Sequence, residues 1–246
     1  MTMNWYNAVD TLYKQDKVKF LKLVELKSQI IKDVMEYQAG DFGTALVLGF
    51  NPVLWHICND VEGFKFTVLC IDDHEADFIR NHEDLKDLVE VVTKEEAQGK
   101  KYDIVLALDS YFTRFSSEAR QKEIIAEAHE YTGKALVTTV KDFKNMKSVD
   151  RLVDPPMVIN SGNASHVFVC HRNWDRTDKQ KFKETMYQLS DGELLSQVTE
   201  HKRTLYFKQL AKYVHDLGCK EFKISQSHFY KNLFSRSYEY IAVAKI

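Results

Sequence analysis

The sequence predicts a single α/β domain built on a doubly wound sheet, and three observations carry that expectation. Short apolar runs alternate with helix-length stretches through much of the N-terminal half, the signature of a parallel sheet covered on both faces. An Asp191-Gly192 pair separates two strand-like runs further on, which is a strong hairpin signal. The last two apolar runs have nothing helical between them, so they should pair antiparallel and give the sheet a reversed last strand.

Composition sets the outer bounds. A chain of 246 residues with 44% hydrophobic side chains is long enough for one sizeable core. Its 34 basic and 36 acidic residues leave a formal charge of -2 and give no strong nucleic-acid or membrane signal. Cys58, Cys70, Cys170 and Cys219 are far apart and lack metal-ligand spacing, so they read as buried thiols of a reducing compartment and no metal is expected. No run of about 20 apolar residues occurs, and the expected setting is soluble and cytoplasmic.

The elements follow in order. Residues 4–38 carry apolar side chains at helical spacing, one or two helices before the first strand. Strands are expected at 44–48 (TALVL), 64–71 (FKFTVLCI), 88–92 (LVEVV), 102–108 (YDIVLAL) and 134–140 (KALVTTV). A helix is expected over 116–131, opening with Ser-Ser-Glu and closing at Gly133. An inserted antiparallel hairpin then occupies 150–206, and a helix over 207–217 ends at Gly218. Strands at 221–229 and 238–246 complete seven in the main sheet. One domain is expected over 1–246: an N-terminal helical segment (1–43), a cofactor-binding half (44–143), the insertion, and the C-terminal helix and strand pair (207–246).

In an open parallel sheet, ligands bind beyond the carboxyl ends of the strands where the strand order reverses. The first strand ends in Gly49-Phe50-Asn51-Pro52, a strand-to-helix elbow in which Gly49 permits a tight turn and Pro52 can begin a helix. An ordinary βα turn accounts for it equally well. Asp72 and Asp73 follow the second strand, Asp72 lying 23 positions after Gly49, a spacing that suits a ribose-binding carboxylate. The competing role is an N-cap for the next helix. Asp109 and Ser110 end the fourth strand, with Tyr111 and Phe112 as pocket wall or core.

With these pieces in order, the chain resembles class I S-adenosylmethionine (SAM)-dependent methyltransferases over nearly its whole length. ALVLGFNPV at 45–53 stands where that family has VLDLGCGTG, FTVLCIDDH at 66–74 resembles its acidic ribose-binding strand, and YDIVLALDSYF at 102–112 its fourth-strand motif. RTLYFKQLAKYVHDLGCKEFKI at 203–224 is similar to the family's R-x-Y-x-x-x-E-L stretch before the reversed last strand. The resemblance implies a Rossmann-like fold, SAM as cofactor, and cofactor contacts at Gly49, Phe50, Asn51, Asp72, Asp73, Asp109 and Ser110. Val47 replaces the family's first-strand aspartate, and Asn51 and Val53 replace its second and third glycines.

Methyl transfer asks the protein mainly to align a nucleophile and exclude water, with a base to help a hydroxyl or amine. Candidates for that base are Tyr111, His56 and His171. Arg172 and Arg203 on the roof are candidates for substrate binding, the competing role being an ion pair with a cross-strand carboxylate such as Glu184 or Glu200. Asp154-Pro155-Pro156-Met157 follows the fifth strand and reads as a rigid turn into the insertion. The expected function is methyl transfer to a small molecule or a protein side chain. The alternative is a catalytically inactive pseudoenzyme serving as a structural or interaction module, with the N-terminal helix as the contact for a homo-oligomer or assembly partner. An NAD-type oxidoreductase leaves the C-terminal hairpin unexplained and ranks last.

Overall fold

The structure, a computed structural model, describes residues 20–51, 53–141, 143, 151–153, 156–161, 164–225 and 239–246. Helix α1 (Phe20–Ala39) comes first, and the earlier part of the predicted helical segment lies outside the described residues, as does Pro52. Ile31 and Met35, one turn apart, are fully buried, and Ser28 donates to Asp60 at 2.7 Å, tying α1 to the helix that follows the first strand.

Five parallel strands follow: β1 (Gly43–Leu48), β2 (Phe64–Leu69), β3 (Val89–Val92), β4 (Tyr102–Ala107) and β5 (Thr132–Lys141). The helices between them are α2 (Leu54–Asp60), α3 (Asp73–Asn81), the single turn α4 (Lys94–Ala97) and α5 (Glu118–Tyr131). Side chains alternate across the strands: Val47, Val68, Ile104 and Val137 pack toward α1, α2 and α3, while Leu46, Val105 and Leu136 pack toward α5. Both faces are therefore apolar, as a covered parallel sheet requires.

A roof of five antiparallel strands follows: β6 (Arg151–Val153), β7 (Met157–Ser161), β8 (Ala164–Trp174), β9 (Lys181–Ser190) and β10 (Glu193–Arg203). β8 pairs with β9 along one edge and with β6 and β7 along the other. The chain then returns to the main sheet through α6 (Phe207–Asp216), β11 (Glu221–Ser225) and β12 (Glu239–Lys245). The main sheet has the order β11-β12-β5-β4-β1-β2-β3, with β12 antiparallel to both neighbours. Seven strands with a reversed last strand are what the sequence predicted.

The departures are local and have physical causes. The insertion is larger than a hairpin because β6 and β7 add to it, strands too short to show periodicity in the sequence; Asp154 and Pro155 lie outside the described residues. Gly133 does not end α5. It sits inside β5, where a Cβ would stand 3.0 Å from the Tyr102 carbonyl oxygen, and Thr132 closes the helix instead. The cysteines are half-buried rather than buried and carry no disulfide, while burial pushes the thiols of Cys58 and Cys70 up to about 12. Among the described residues no helix is long and apolar enough to cross a membrane, and no three or more metal-ligating side chains cluster.

The two-residue turn between β9 and β10 has positive φ at both positions, 50° at Asp191 and 86° at Gly192, so it is the turn type that matches strand twist. A Cβ at Gly192 meets nothing within 4 Å, whereas one at Gly63, also left-handed, stands 2.5 Å from the Asp41 carbonyl oxygen. Urea unfolding should therefore show Gly192→Ala costing about 1–2 kcal/mol from backbone strain alone. Gly63→Ala should cost clearly more, because a backbone atom must also move; equal losses would contradict this packing.

Candidate functional site

The strand order reverses between β1 and β4, so the ligand crevice of this topology lies beyond their carboxyl ends. Gly49 follows β1 with φ of 71°, and its N–H donates to the Leu69 carbonyl at 2.9 Å, holding the loop against the end of β2. Phe50 turns into the core and meets Phe78 edge-on at 4.9 Å. Asn51 is buried, and its side-chain oxygen accepts from the Val53 N–H at 2.9 Å, making a side-chain-closed turn into α2. Val47 and Val53, where the sequence departs from the aspartate and glycine of the resemblance, are core residues.

A buried acidic residue, Glu75, stands at these strand ends. Its carboxylate accepts from the N–H of Phe50 and the N–H of Ile71, both at 2.7 Å, bridging the loops after β1 and β2. Arg114 lies 3.5 Å away and donates to the Phe50 carbonyl at 3.3 Å. Burial raises the Glu75 carboxyl, against the pull of Arg114 and the two backbone donors. A Cβ on Gly49 would meet the Tyr111 ring at 3.0 Å, the Arg114 guanidinium at 3.2 Å and Glu75 Oε1 at 3.3 Å. Side-chain tips therefore cover the glycine.

Asp72 is exposed and caps α3, accepting from the Glu75 N–H at 2.8 Å, and Asp73 is the first residue of that helix. Spacing drew attention to Asp72, but the carboxylate that reaches back to Gly49 stands one helical turn further on. Its signal in the sequence was an acidic residue three positions after a helix cap, a pattern also made by simple capping boxes.

β4 ends in two consecutive left-handed residues, Asp109 (φ 49°) and Ser110 (φ 55°). Such backbone costs of order 1–3 kcal/mol per residue and needs fixing from outside. Here Ser110 N–H donates to Thr139 Oγ1 at 2.9 Å, Ser110 Oγ accepts from Lys141 N–H at 3.1 Å, and its carbonyl accepts from Thr113 at 2.8 Å. The kink starts a short 3-10 turn (Tyr111–Arg114) and leaves Asp109 40% exposed, 3.7 Å from the Lys141 ammonium. Burial among neighbours would raise the Asp109 carboxyl, but Lys141, Lys27, Arg114 and Lys202 hold it below its ordinary value.

The remaining candidates are spread more widely. Tyr111 is buried under the Arg114 guanidinium, and burial raises its hydroxyl. His56 lies on α2, its pKa lowered by burial against the pull of Asp60 and Glu25. His171 sits mid-roof on β8, between Val153 and Thr185. Arg172 donates to its cross-strand partner Glu184 at 2.5 Å, and Lys202 bonds the other oxygen of the same carboxylate. Arg203 donates to Asp178 at 2.8 Å and to Gln180, while its carbonyl accepts from Gln121 at 2.9 Å. Gln121 also donates to the Phe112 carbonyl at 3.1 Å, so one buried amide ties the roof to the 3-10 turn.

No protein-family model matches the sequence, and no curated protein matches it. Solved structures do. The chain is similar to Streptomyces venezuelae DesVI (TM-score 0.73, 11% identity, 98% of each chain). It is similar to SAM-bound CalS10, an amino pentose methyltransferase from Micromonospora echinaspora (TM-score 0.70, 11% identity, 91% of this chain and 92% of that one). A third is the sugar N-methyltransferase KedS8 from Streptoalloteichus sp ATCC 53650 (TM-score 0.69, 10% identity, 100% and 94%). The fold is that of class I SAM-dependent methyltransferases.

Glu184 provides a test of the roof's electrostatics. Burial alone would raise its carboxyl, yet the Lys202 and Arg172 cations hold it well below the usual range of about 4.5. A depressed folded-state pKa contributes stability above the unfolded value and loses it as pH falls. Glu184→Gln should therefore destabilise by about 3 kcal/mol at pH 7, and the gap should narrow as pH drops below about 4.5. A gap independent of pH, read from urea unfolding at several pH values, would contradict the assignment.

Proposed function

We propose that this chain binds SAM at the loop after β1 and transfers its methyl group to an amine or hydroxyl of a small polar molecule held beneath the roof. The observation that carries the reading is the pair of acidic side chains at the strand ends, a buried Glu75 anchored beside Gly49 and an Asp109 held on a strained kink. The likeness to solved sugar and amino pentose methyltransferases over nearly the full chain supports the same reading.

The residues suit the cofactor. Glu75 Oε2 uses one lone pair on the Ile71 N–H and keeps another for a ribose hydroxyl, while Oε1 accepts from Phe50 and faces Arg114. Arg114 is the cation for the amino-acid carboxylate, and the atoms nearest a Cβ on Gly49 belong to side chains rather than backbone. When bound, the cofactor supplies a sulfonium carbon that already carries the driving force. Asp109 receives the acceptor's N–H or O–H hydrogen bond and sets the lone pair in line, the proton leaving to solvent after transfer. The roof shields that step from water.

A second reading, a methyltransferase fold without the activity, is favoured by the closed Glu75–Arg114 pair and by Val53 in the core. One titration separates the two. S-adenosylhomocysteine at a hundred times its dissociation constant should stabilise the protein by about 2.7 kcal/mol, and Glu75→Gln should abolish the thermal shift. Asp109→Asn should keep that shift while lowering methyl transfer about a hundredfold. No shift with wild type at millimolar ligand leaves the inactive reading standing.

A further inference from the structure

The two faces of the roof differ in how they are covered. Along one face of β8 and β9, Arg172, Trp174, Phe182, Glu184, Met186 and Gln188 are buried. Side chains alternate along a strand, so Val167 and Val169 of β8 and Tyr187 and Leu189 of β9 project from the other face, where they are only half-buried.

Register sets the apolar side chains of that outer face beside one another. Val158 of β7, Val167 of β8, Leu189 of β9 and Leu194 of β10 are successive cross-strand partners, an aliphatic row spanning four strands. Val169 and Tyr187 are partners in the next row on the same face, and Leu195 lies at the register shift beside Leu194. Val158, Leu194 and Leu195 are 58%, 57% and 52% exposed. An antiparallel sheet with one wet face alternates apolar and polar residues, but the run Val167-Phe168-Val169-Cys170 is apolar on both sides, the pattern of a strand covered on both faces. Exposed apolar residues that are scattered need no explanation; a contiguous patch marks an interaction surface.

Charge and size both fit a second copy of the chain. Lys183 stands in the row Asn173–Lys183–His201 at one end of the outer face, and Asp191 in the turn at the other end, where it accepts from the Ser165 N–H at 3.2 Å. Both are exposed, and among the described residues neither has an ion pair. About 27 Å of extended β9 separates them within one chain. A two-fold axis lying in the interface and running across the strands sets β9 antiparallel to its copy, with Tyr187 midway and Lys183 over the partner's Asp191. An axis along the strands would set lysine over lysine. Strands β8, β9 and β10 have 11, 10 and 11 residues. With β7 they cover roughly 34 Å by 19 Å, and side-chain relief brings that near the ~800 Å² per partner of a stable interface.

We infer that the outer face of the roof is a homodimer interface, in which two copies of this chain pack sheet on sheet with their strands antiparallel. The aliphatic row supplies the apolar area removed from water, and the Lys183–Asp191 pairs at the two ends select the orientation. Sheets packed face to face lie about 10 Å apart, within reach of a lysine and an aspartate extended toward each other. The contact is on the opposite side of the roof from the Arg172–Glu184–Lys202 group and is independent of the function proposed above.

The test is sedimentation equilibrium of the full chain from about 1 to about 100 μM. The expected species has twice the 28.7 kDa mass of the chain. Its dissociation constant should rise about a hundredfold in Leu194→Glu and stay unchanged in Tyr37→Glu, a control at an 81% exposed position on α1. Circular dichroism establishes that each variant folds, and Val158→Glu replaces Leu194→Glu if that variant does not. Zero-length carbodiimide coupling reads the orientation, because an amide joining Lys183 to Asp191 is out of reach within one chain and should appear in the cross-linked dimer by peptide mass spectrometry. A monomer at about 100 μM, or a dimer that folded Leu194→Glu or Val158→Glu leaves intact, overturns the interface. A dimer without the Lys183–Asp191 link overturns the antiparallel orientation.

Discussion

The Glu75 carboxylate is the hub of this molecule. Four segments meet on it: the loop after β1 through Phe50, the loop after β2 through Ile71, helix α3 that carries it, and the 3-10 turn through Arg114. A carboxylate with no solvent exposure is tolerated only when its lost hydration is replaced, and here two backbone donors and a guanidinium replace it. The loops are thus set by one group whose removal would take the acceptor from the Phe50 and Ile71 N–H groups and the carboxylate partner from Arg114. Arg114 in turn lies over the Tyr111 ring, so the wall of the crevice inherits its position from the same carboxylate.

The roof solves a different problem. An antiparallel sheet laid over a crevice must keep one face dry while carrying charged side chains, and it does so by pairing them across strands. Arg172 and Lys202 share Glu184, and Arg203 leaves the sheet to reach Asp178. These side chains are committed to holding three strands in register, which shifts the weight of recognition onto groups that have no such duty. At the sheet's base, Phe143, Trp174 and Phe182 form a small apolar cluster with Tyr206 beside it. Gln121 then bonds the roof's last strand and the 3-10 turn together, so movement of the roof and the shape of the crevice are mechanically linked.

Strain is confined to one place that matters for ligands. Asp109 and Ser110 both take left-handed backbone, and three hydrogen bonds from the end of β5 and the 3-10 turn hold Ser110 there. A relaxed continuation of β4 would carry the Asp109 side chain along the strand alternation, toward one packed face. The kink instead leaves it partly exposed among cations, where it stays ionised.

Periodicity and turn chemistry in the sequence determined the order of strands and helices, the Asp191-Gly192 turn and the antiparallel end of the sheet. Each is a local pattern: an apolar run with nothing helical beside it has few ways to be buried. The short strands β6 and β7 and the place of Gly133 inside β5 escaped because pairing with β8 and the nearness of Tyr102 are facts of neighbours, not of runs. The same holds for the site. Gly49 and Asp109 were visible because strand ends are visible, and the cross-strand partnership of Arg172 with Glu184 because hairpin register is countable. That Asp72 caps a helix while Glu75 reaches Gly49 was settled only in three dimensions. Two acids one helical turn apart look alike in a sequence, and which of them accepts from the backbone of the neighbouring strand-end loops is decided by how α3 packs on the sheet.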